Sequence, residues 1–308
     1  MPIRLTRIVA LALIVFSVNA YAFHRGIYLT QSTAQDDSRL QYLITQSNKN
    51  HIDTFVIDIN SPSKTYAQAI HRVLQNGITY IARVVIFPHG AIHEQVIDKN
   101  IWAKRLQLAK YAAELGAKDI QLDYIRYQAK GTASPEKARN ILKVVEYFKT
   151  NLRSFNVGLQ LDIFGVAAHQ PSHTIGQDPI LFAPLINALC PMVYPSHYEP
   201  FQHHAIRPFQ TVYNSISALK QQLKNHPHVA VYAYIELSNY RYRLSQQEKK
   251  QYIVAQIKGA KEGDANGWYA WSPNNHYDIL FQTLHDNIAS NIKLKNTVAY
   301  YGHMLPLL

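Results

Sequence analysis

The stretch Gln121-Leu-Asp-Tyr-Ile-Arg-Tyr127 decides the fold. It opens as a buried strand, with Ile120, Leu122 and Tyr124 as its apolar positions. It closes on Asp123 and Arg126, two charges that a packed core does not take unpaired. Val157-Gly-Leu-Gln-Leu-Asp-Ile-Phe-Gly165 repeats the device, an apolar run that delivers Asp162 to its C-terminal end. Strands that carry carboxylates to one rim are the usual material of an α/β active site. The plainer reading, a structural Asp123–Arg126 ion pair under a loop, stands beside it.

Outward from this stretch, short β-rich runs alternate with amphipathic helical stretches. Strands are expected at about 25–30, 54–60, 78–87, 119–127, 156–166, 188–194, 229–237 and 267–272. Helices are expected at about 37–50, 64–76, 99–115, 135–152, a short one ending at 187, then 209–224, 245–263 and 277–288. Gly77 and Gly116 stop two of them, Ser134-Pro135 starts another, and Ser245 with Glu248 has the spacing of a capping box. Eight strands alternating with eight helices over about 265 residues predict a (β/α)8 TIM barrel in a single domain. A doubly wound open sheet is the competitor, but no Gly-x-Gly-x-x-Gly follows the first strand.

Residues 1–22 read as a secretory signal peptide. Arg4 and Arg7 precede the apolar run Ile8–Val18, and Ala20-Tyr21-Ala22 is a small-x-small cleavage site before Phe23. The barrel is then expected over 23–288, with 289–308 as a C-terminal tail, and the location is periplasmic or secreted. No later stretch is apolar and long enough to span a bilayer, so stable membrane insertion is not expected. The 308 residues carry a formal charge of +11. Without Arg4 and Arg7 the balance is 29 basic against 20 acidic residues, or +9. This favours anionic surroundings such as acidic polysaccharide, lipid headgroups or cell-wall polymer. The basic residues are scattered, so nucleic acid is not expected. The lone Cys190 lies in an apolar run and reads as an inert buried thiol; cysteine-ligated zinc and iron–sulfur sites are excluded.

Barrel closure points every strand end at one mouth. The residues gathered there are Asp58, Arg83, Asp123, Tyr124, Arg126, Asp162, Tyr194, His197, Tyr198, Tyr234, Glu236, Trp271 and Asn274. Acids with aromatics match sugar chemistry, because glycosidic cleavage uses two carboxyl groups while aromatic faces stack on sugar rings. Asp123 and Asp162 lie on adjacent strands, about 4.8 Å apart. Their carboxyls are therefore expected near the separation of a retaining pair, with Glu236 as an alternative acid or a positioning carboxylate. Arg126 or Arg83 would hold one acid ionised, and Asp58 either serves the site or pairs with Arg83. His169, His173, His197, His203 and His204 crowd the loops after strands five and six. The His-x-His of metal-dependent barrel hydrolases is absent from strand one, so neither metal nor other cofactor is expected; His197 reads as a substrate hydrogen-bonder.

Arg25-Gly-Ile-Tyr-Leu-Thr30, Val56-Ile-Asp58, Ile81-Ala-Arg83, Gln121-Leu-Asp-Tyr-Ile-Arg126, Asp162-Ile-Phe-Gly165, Pro191-Met-Val-Tyr-Pro-Ser-His-Tyr198 and Gly267-Trp268 through Trp271-Ser-Pro-Asn274 occur in this order. The set resembles the bacterial glycosyl-hydrolase domain family grouped with TIM-barrel glycosidases, over nearly all of 24–280. The resemblance implies a TIM barrel and a polysaccharide hydrolase, with Asp123 as nucleophile by analogy with related barrel glycosidases. Two departures stand out. Asn60-Ser61 replaces further charged residues after strand two, and Ile235-Glu236 replaces a Gln-Asp ending of strand seven.

The expectation is an exported glycoside hydrolase that cleaves a polysaccharide or oligosaccharide, with Asp123, Asp162 and Glu236 as catalytic candidates. Asp58, Arg83, Tyr124, Arg126, Tyr194, His197, Tyr198, Trp271 and Asn274 are the substrate-binding candidates. The alternatives are a catalytically inactive barrel that binds glycan or cell-wall polymer, and a metal-dependent hydrolase or deacetylase.

Overall fold

The computed structural model of the chain describes residues 23–286. The signal-peptide reading of 1–22, the tail 289–308 and the last two residues of the expected final helix lie outside the described residues.

Eight parallel strands close into a barrel in chain order. They are β1 (His24–Leu29), β2 (Thr54–Asp58), β3 (Thr79–Val85), β4 (Asp119–Asp123), β5 (Gly158–Phe164), β6 (Ala188–Met192), β7 (Ala230–Glu236) and β8 (Gly267–Trp271). β8 pairs back onto β1, with Gly26 opposite Tyr269. This is the expected (β/α)8 architecture.

The alternation within each strand separates two layers. Ile27, Leu29, Phe55, Ile57, Ile120, Leu122, Leu161, Ile163, Val231 and Trp268 face the surrounding helices and are buried there. The inward set is mixed, with Tyr28, Val56, Ile81, Cys190, Tyr234 and Tyr269 packed around polar groups. Those polar groups satisfy one another. Tyr234 Oη donates to Gln121 Oε1 at 2.7 Å, and Gln121 Nε2 donates to Gln160 Oε1 at 3.2 Å. Gln160 Nε2 in turn donates to Asp119 at 3.1 Å. Cys190 is free and buried inside this network, and burial pushes its thiol up. These bonds tie β4, β5 and β7 together across the barrel interior below Asp123 and Asp162.

Local chemistry explains the main helices. Ser63 caps Lys64–Gln75 through Tyr66 N–H, Pro135 opens Pro135–Asn151, and Ser245 with Glu248 completes the expected capping box of Gln246–Glu262. The loops hold more helix than the sequence pattern suggests. Gln31–Gln35, His93–Ile97, Gly165–His169 and Phe201–His204 are single short turns at the upper rim. Their lengths are too short to leave a 3.6-residue periodicity. β4 also stops earlier than expected, at Asp123, because Tyr124 turns into the left-handed region with φ of 50°.

Candidate active site

One guanidinium organises the mouth of the barrel. Arg83 lies opposite both Asp58 on β2 and Gln121 on β4 in the ladders, and Asp123 is two residues further along β4. Its long side chain rises to the rim and meets three carboxylates. Nη1 donates to Asp58, Nη2 donates to Asp123, and Nε lies 3.7 Å from Asp162 Oδ2. Its flat face covers the Tyr28 ring at 5.1 Å, and Tyr28 Oη donates to Asp58 Oδ2 at 2.5 Å. Asp58 therefore has the pairing role with Arg83 that the sequence left open.

The charges do not balance, since one cation faces three acids. Burial works against the Arg83 charge, but Asp123, Asp58 and Asp162 outweigh it and hold its pKa above the ordinary arginine value. The Asp162 pKa is also raised, which for a carboxyl disfavours the charged form. Burial, then repulsion from Asp123, holds its carboxyl well above the usual carboxylate range against the pull of Arg83. Its Oδ1 is buried and has no hydrogen-bond partner. Asp123 accepts from Arg83 and from the Tyr124 backbone N–H at 2.5 Å. The three acids thus have different surroundings.

Above them opens a cavity of about 820 Å³ lined by Asp123, Asp162 and Arg83 at its base. That volume suits several sugar rings. On one side Tyr194 stacks on Trp271 with ring centres 5.3 Å apart, and His197 packs edge-on against Tyr194 at 5.4 Å. Tyr240 continues the aromatic surface outward from Trp271 at 6.1 Å. On the other side are Tyr124, Phe164, Val166, His169 and His204. Gly165 lacks a Cβ where Tyr198 crosses it, and that space lets the Tyr198 ring close the wall. The Tyr198 hydroxyl is shared with Ser215 at 2.8 Å.

Of the residues expected to bind substrate, Arg83, Tyr124, Tyr194, His197, Tyr198 and Trp271 line this cavity. Four expected residues do not, and the first of them, Asp58, sits beside the base as a partner of Arg83. Arg126 lies behind the wall, stacked on Phe164 at 4.4 Å and on Tyr124 at 5.5 Å, with Nη1 donating to the Tyr127 carbonyl. The left-handed turn at Tyr124 sends it there, so the expected Asp123–Arg126 pairing gives way to Arg83. Asn274 is exposed, and its neighbour Asn275 is the buried one. Asn275 Oδ1 accepts from Thr30 N–H at 2.9 Å, and its Nδ2 donates to the Tyr28 and Ser272 carbonyls at 3.2 and 3.0 Å. Glu236 is fully buried and bonded to Ser196 and Tyr252, outside the cavity lining. Tyr28 was passed over in the sequence. It sits at the end of β1 without a charge to mark it, yet it lines the cavity and orients Asp58.

Two stability consequences follow. Asn275→Ala leaves the Thr30 N–H without its acceptor and unties β1 from the β8 loop; an expected loss of about 2–3 kcal/mol is read by urea unfolding. Glu236 gives a pH dependence. Burial raises its pKa from 4.5 to about 7, against the lowering hydrogen bonds from Tyr252 and Ser196. Between these values the folded chain keeps a proton that the unfolded chain has released. Stability therefore falls as pH rises from about 4.5 to 7, by about 3 kcal/mol in total. The slope over that window, measured by denaturant midpoints, is expected to flatten in Glu236→Gln.

Among the described residues, no group of three or more His, Cys, Asp or Glu is arranged to hold a metal ion. No helix among them is long and apolar enough to cross a membrane.

The barrel is shared with carbohydrate-active proteins of very low identity. The glycoside hydrolase domain of PgaB (BpsB) from Bordetella bronchiseptica is 10% identical, aligned over 85% of this chain and 98% of that one with a TM-score of 0.61. The spore cortex-lytic enzyme SleL of Bacillus cereus is 14% identical over 86% of this chain and 74% of that one, with a TM-score of 0.62. A chitinase from Chromobacterium violaceum is 10% identical over 87% and 99%, with a TM-score of 0.58. At these identities the likeness is one of fold. No curated protein sequence matches the chain. The sequence pattern of a glycosyl hydrolase domain family matches residues 88–277, which span β4 to β8 and the acids Asp123 and Asp162, and the chain belongs to that family, described as "Putative glycosyl hydrolase domain".

Proposed function

We propose that the chain is an exported glycoside hydrolase that cleaves a polysaccharide in the barrel cavity, with Asp162 as proton donor and Asp123 as the ionised partner. The observation that carries this reading is the asymmetry of two acids on one arginine. Asp162 is buried, raised in pKa and unbonded at Oδ1, as a carboxylic acid with a proton to give would be. Asp123 faces the Arg83 guanidinium across the same few ångströms. Glycosidic cleavage uses this division of labour: one carboxyl protonates the leaving oxygen, and the other attacks or stabilises the developing oxocarbenium carbon. Water then takes the leaving group's place, and its proton returns to the acid. The stacked Tyr194 and Trp271 would hold a ring by its C–H face. Family membership and the names of the fold neighbours, among them a chitinase, a cortex-lytic enzyme and a mannanase, support a glycan as substrate. The positive charge of the chain favours an anionic polymer.

Digestion of a panel containing chitin, β-mannan, spore cortex and acidic polysaccharides, with product analysis by mass spectrometry, tests the reading. Release of oligosaccharides by wild type supports it. Retention of a glycan without cleavage, under every condition tried, replaces it with the glycan-binding alternative. Export is tested separately. In a secretion-competent bacterial host the mature N-terminus is expected to be Phe23, and a retained Met1 in the exported fraction would refute the signal-peptide reading.

A further inference from the structure

Glu236 is a fully buried acid outside the Arg83 cluster whose carboxylate accepts three hydrogen bonds. Ser196 N–H donates to its Oε1 at 2.8 Å, Tyr252 Oη to the same oxygen at 2.6 Å, and Ser196 Oγ to Oε2 at 2.7 Å. Its own backbone is gripped on both sides by one amide. The Glu236 N–H donates to Gln256 Oε1 at 3.0 Å, and Gln256 Nε2 donates to the Glu236 carbonyl at 2.9 Å. Every one of these partners is neutral. Ser196, Gln256 and Glu236 are fully buried.

The other end of this connection is the cavity. Ser196 is the centre of the single turn Pro195–His197 that follows β6. Tyr194, His197, Tyr198 and Glu199, on either side of it, all line the cavity. The Ser196 carbonyl accepts from Arg241 Nε at 3.0 Å, which fastens the same turn to the loop after β7. Tyr194 then stacks on Trp271 of β8, and His197 lies against Tyr240 at 5.3 Å.

We propose that Glu236 is a positioning residue: through Ser196 it fixes the Tyr194–Tyr198 turn and thereby sets the aromatic wall of the cavity against Trp271. The part of this that concerns sugar binding rests on the glycan reading of the cavity; the latch itself does not. A carboxylate suits the task because three donors converge on it, and only a group that accepts throughout satisfies all three. An amide or a carboxylic acid turns one oxygen position into a donor, and the Ser196 hydroxyl must then reorient. This separates Glu236 from the catalytic role its strand-end position suggests. Its oxygens are consumed by the turn and the helix Gln246–Glu262, and none is left for a substrate.

The geometry gives an optical readout. Trp271 is one of three tryptophans, and Trp102 and Trp268 are buried away from this turn among the outer core residues. Loss of the latch moves Tyr194 on the Trp271 face and changes its emission. The groups facing Glu236 are Ser196 from the turn, Tyr252 from the helix, and Tyr194 and Tyr240 by electrostatic coupling. All three tyrosines are raised above their ordinary values, so they stay neutral near pH 7. His197 is the neighbouring group with an ordinary value near that range, and burial followed by the Arg241 charge lowers it.

The test follows Trp271 emission from pH 5 to 9 in wild type, Glu236→Gln, Ser196→Ala and His197→Asn, with Trp271→Phe to assign the signal. Wild type and His197→Asn are expected to show a transition near pH 7. Glu236→Gln is expected to show none, and Ser196→Ala to shift the emission at all pH values. Near-UV circular dichroism confirms that each variant is folded, and Ser196→Ala, which removes a single hydroxyl, supplies the test if Glu236→Gln does not fold. On a glycan that wild type cleaves, Glu236→Gln is expected to raise KM about tenfold with kcat changed less than about twofold. A Glu236→Gln emission profile that retains the wild-type transition overturns the latch. A kcat loss of about 10²-fold or more with KM unchanged overturns the positioning role in favour of catalysis. If the emission results hold while wild type retains no glycan, the glycan reading fails and the latch stands.

Discussion

An Asp123→Asn protein is expected to lose glycan cleavage by roughly 10³-fold or more in kcat while still binding the glycan and remaining folded. The substitution keeps the shape of the side chain and an oxygen that can accept from Arg83. It removes the charge that would attack or stabilise the anomeric carbon. Folding is expected to survive because Arg83 keeps Asp58 and Asp162, so no cation is stranded. Affinity electrophoresis in a soluble substrate polymer measures binding, and reducing-end release measures cleavage. The matched variant Asp162→Asn separates the two roles. It is expected to lose about 10²- to 10⁴-fold on polysaccharide, where the leaving oxygen needs a proton, and far less on aryl glycosides with good leaving groups. The Asn at 162 also removes a carboxyl that burial disfavours in its charged form, so this variant is expected to be at least as stable as wild type at neutral pH. If Asp123→Asn cleaves as well as wild type, the chemistry lies elsewhere and the three acids around Arg83 are structural.

Much of the barrel was legible in the chain because outward strand positions must be apolar and helix boundaries carry their own chemistry. Ser245 with Glu248, and Ser134 with Pro135, mark helix starts that the structure keeps. The site was legible only as a list of strand ends. Asp123 and Asp162 come together because adjacent parallel strands must place them so, and that much is topology. Arg83 was named, but its reach was not, since a ladder position says nothing about how far a long side chain extends along the barrel axis. Glu236 obeys the same strand-end rule as Asp123, yet it lies outside the cavity lining, and for a definite reason. Its partners Ser196 and Tyr252 come from a loop and a helix, and no strand pattern encodes their approach. The choice between Asn274 and Asn275 turned on a left-handed φ of 53° and on the Thr30 N–H, Tyr28 C=O and Ser272 C=O groups that Asn275 serves. Arg126 lies behind the cavity wall for the same reason that β4 ends early, the left-handed turn at Tyr124.

Arg83→Met is expected to be the most destabilising single change at the mouth, by about 3–5 kcal/mol at neutral pH. Methionine approximates the buried stem and removes the charge. Asp58, Asp123 and Asp162, with side-chain exposures of 11%, 5% and 2%, then face one another at the base of the cavity with no cation. Water compensates three mostly buried acids less well than the guanidinium does, so the folded variant relieves the repulsion by holding protons. The unfolded chain gives up carboxylate protons near pH 4. Over the range above that, the folded variant binds more protons than the unfolded one, and its stability falls as pH rises. The deficit relative to wild type is therefore expected to be small near pH 4 and largest at about pH 7. Urea midpoints at the two pH values measure it. A deficit that does not change with pH would mean that Arg83 acts by packing on Tyr28 and not by charge. Adding Asp58→Asn to Arg83→Met distinguishes the two further. It removes one repelling acid and leaves the Tyr28 packing defect in place, so recovery of stability in the double variant is expected only if charge balance is the cause. Arg83→Lys completes the argument. It restores one positive charge but not the fork that reaches Asp58, Asp123 and Asp162 together, so stability should return in part while cleavage stays low.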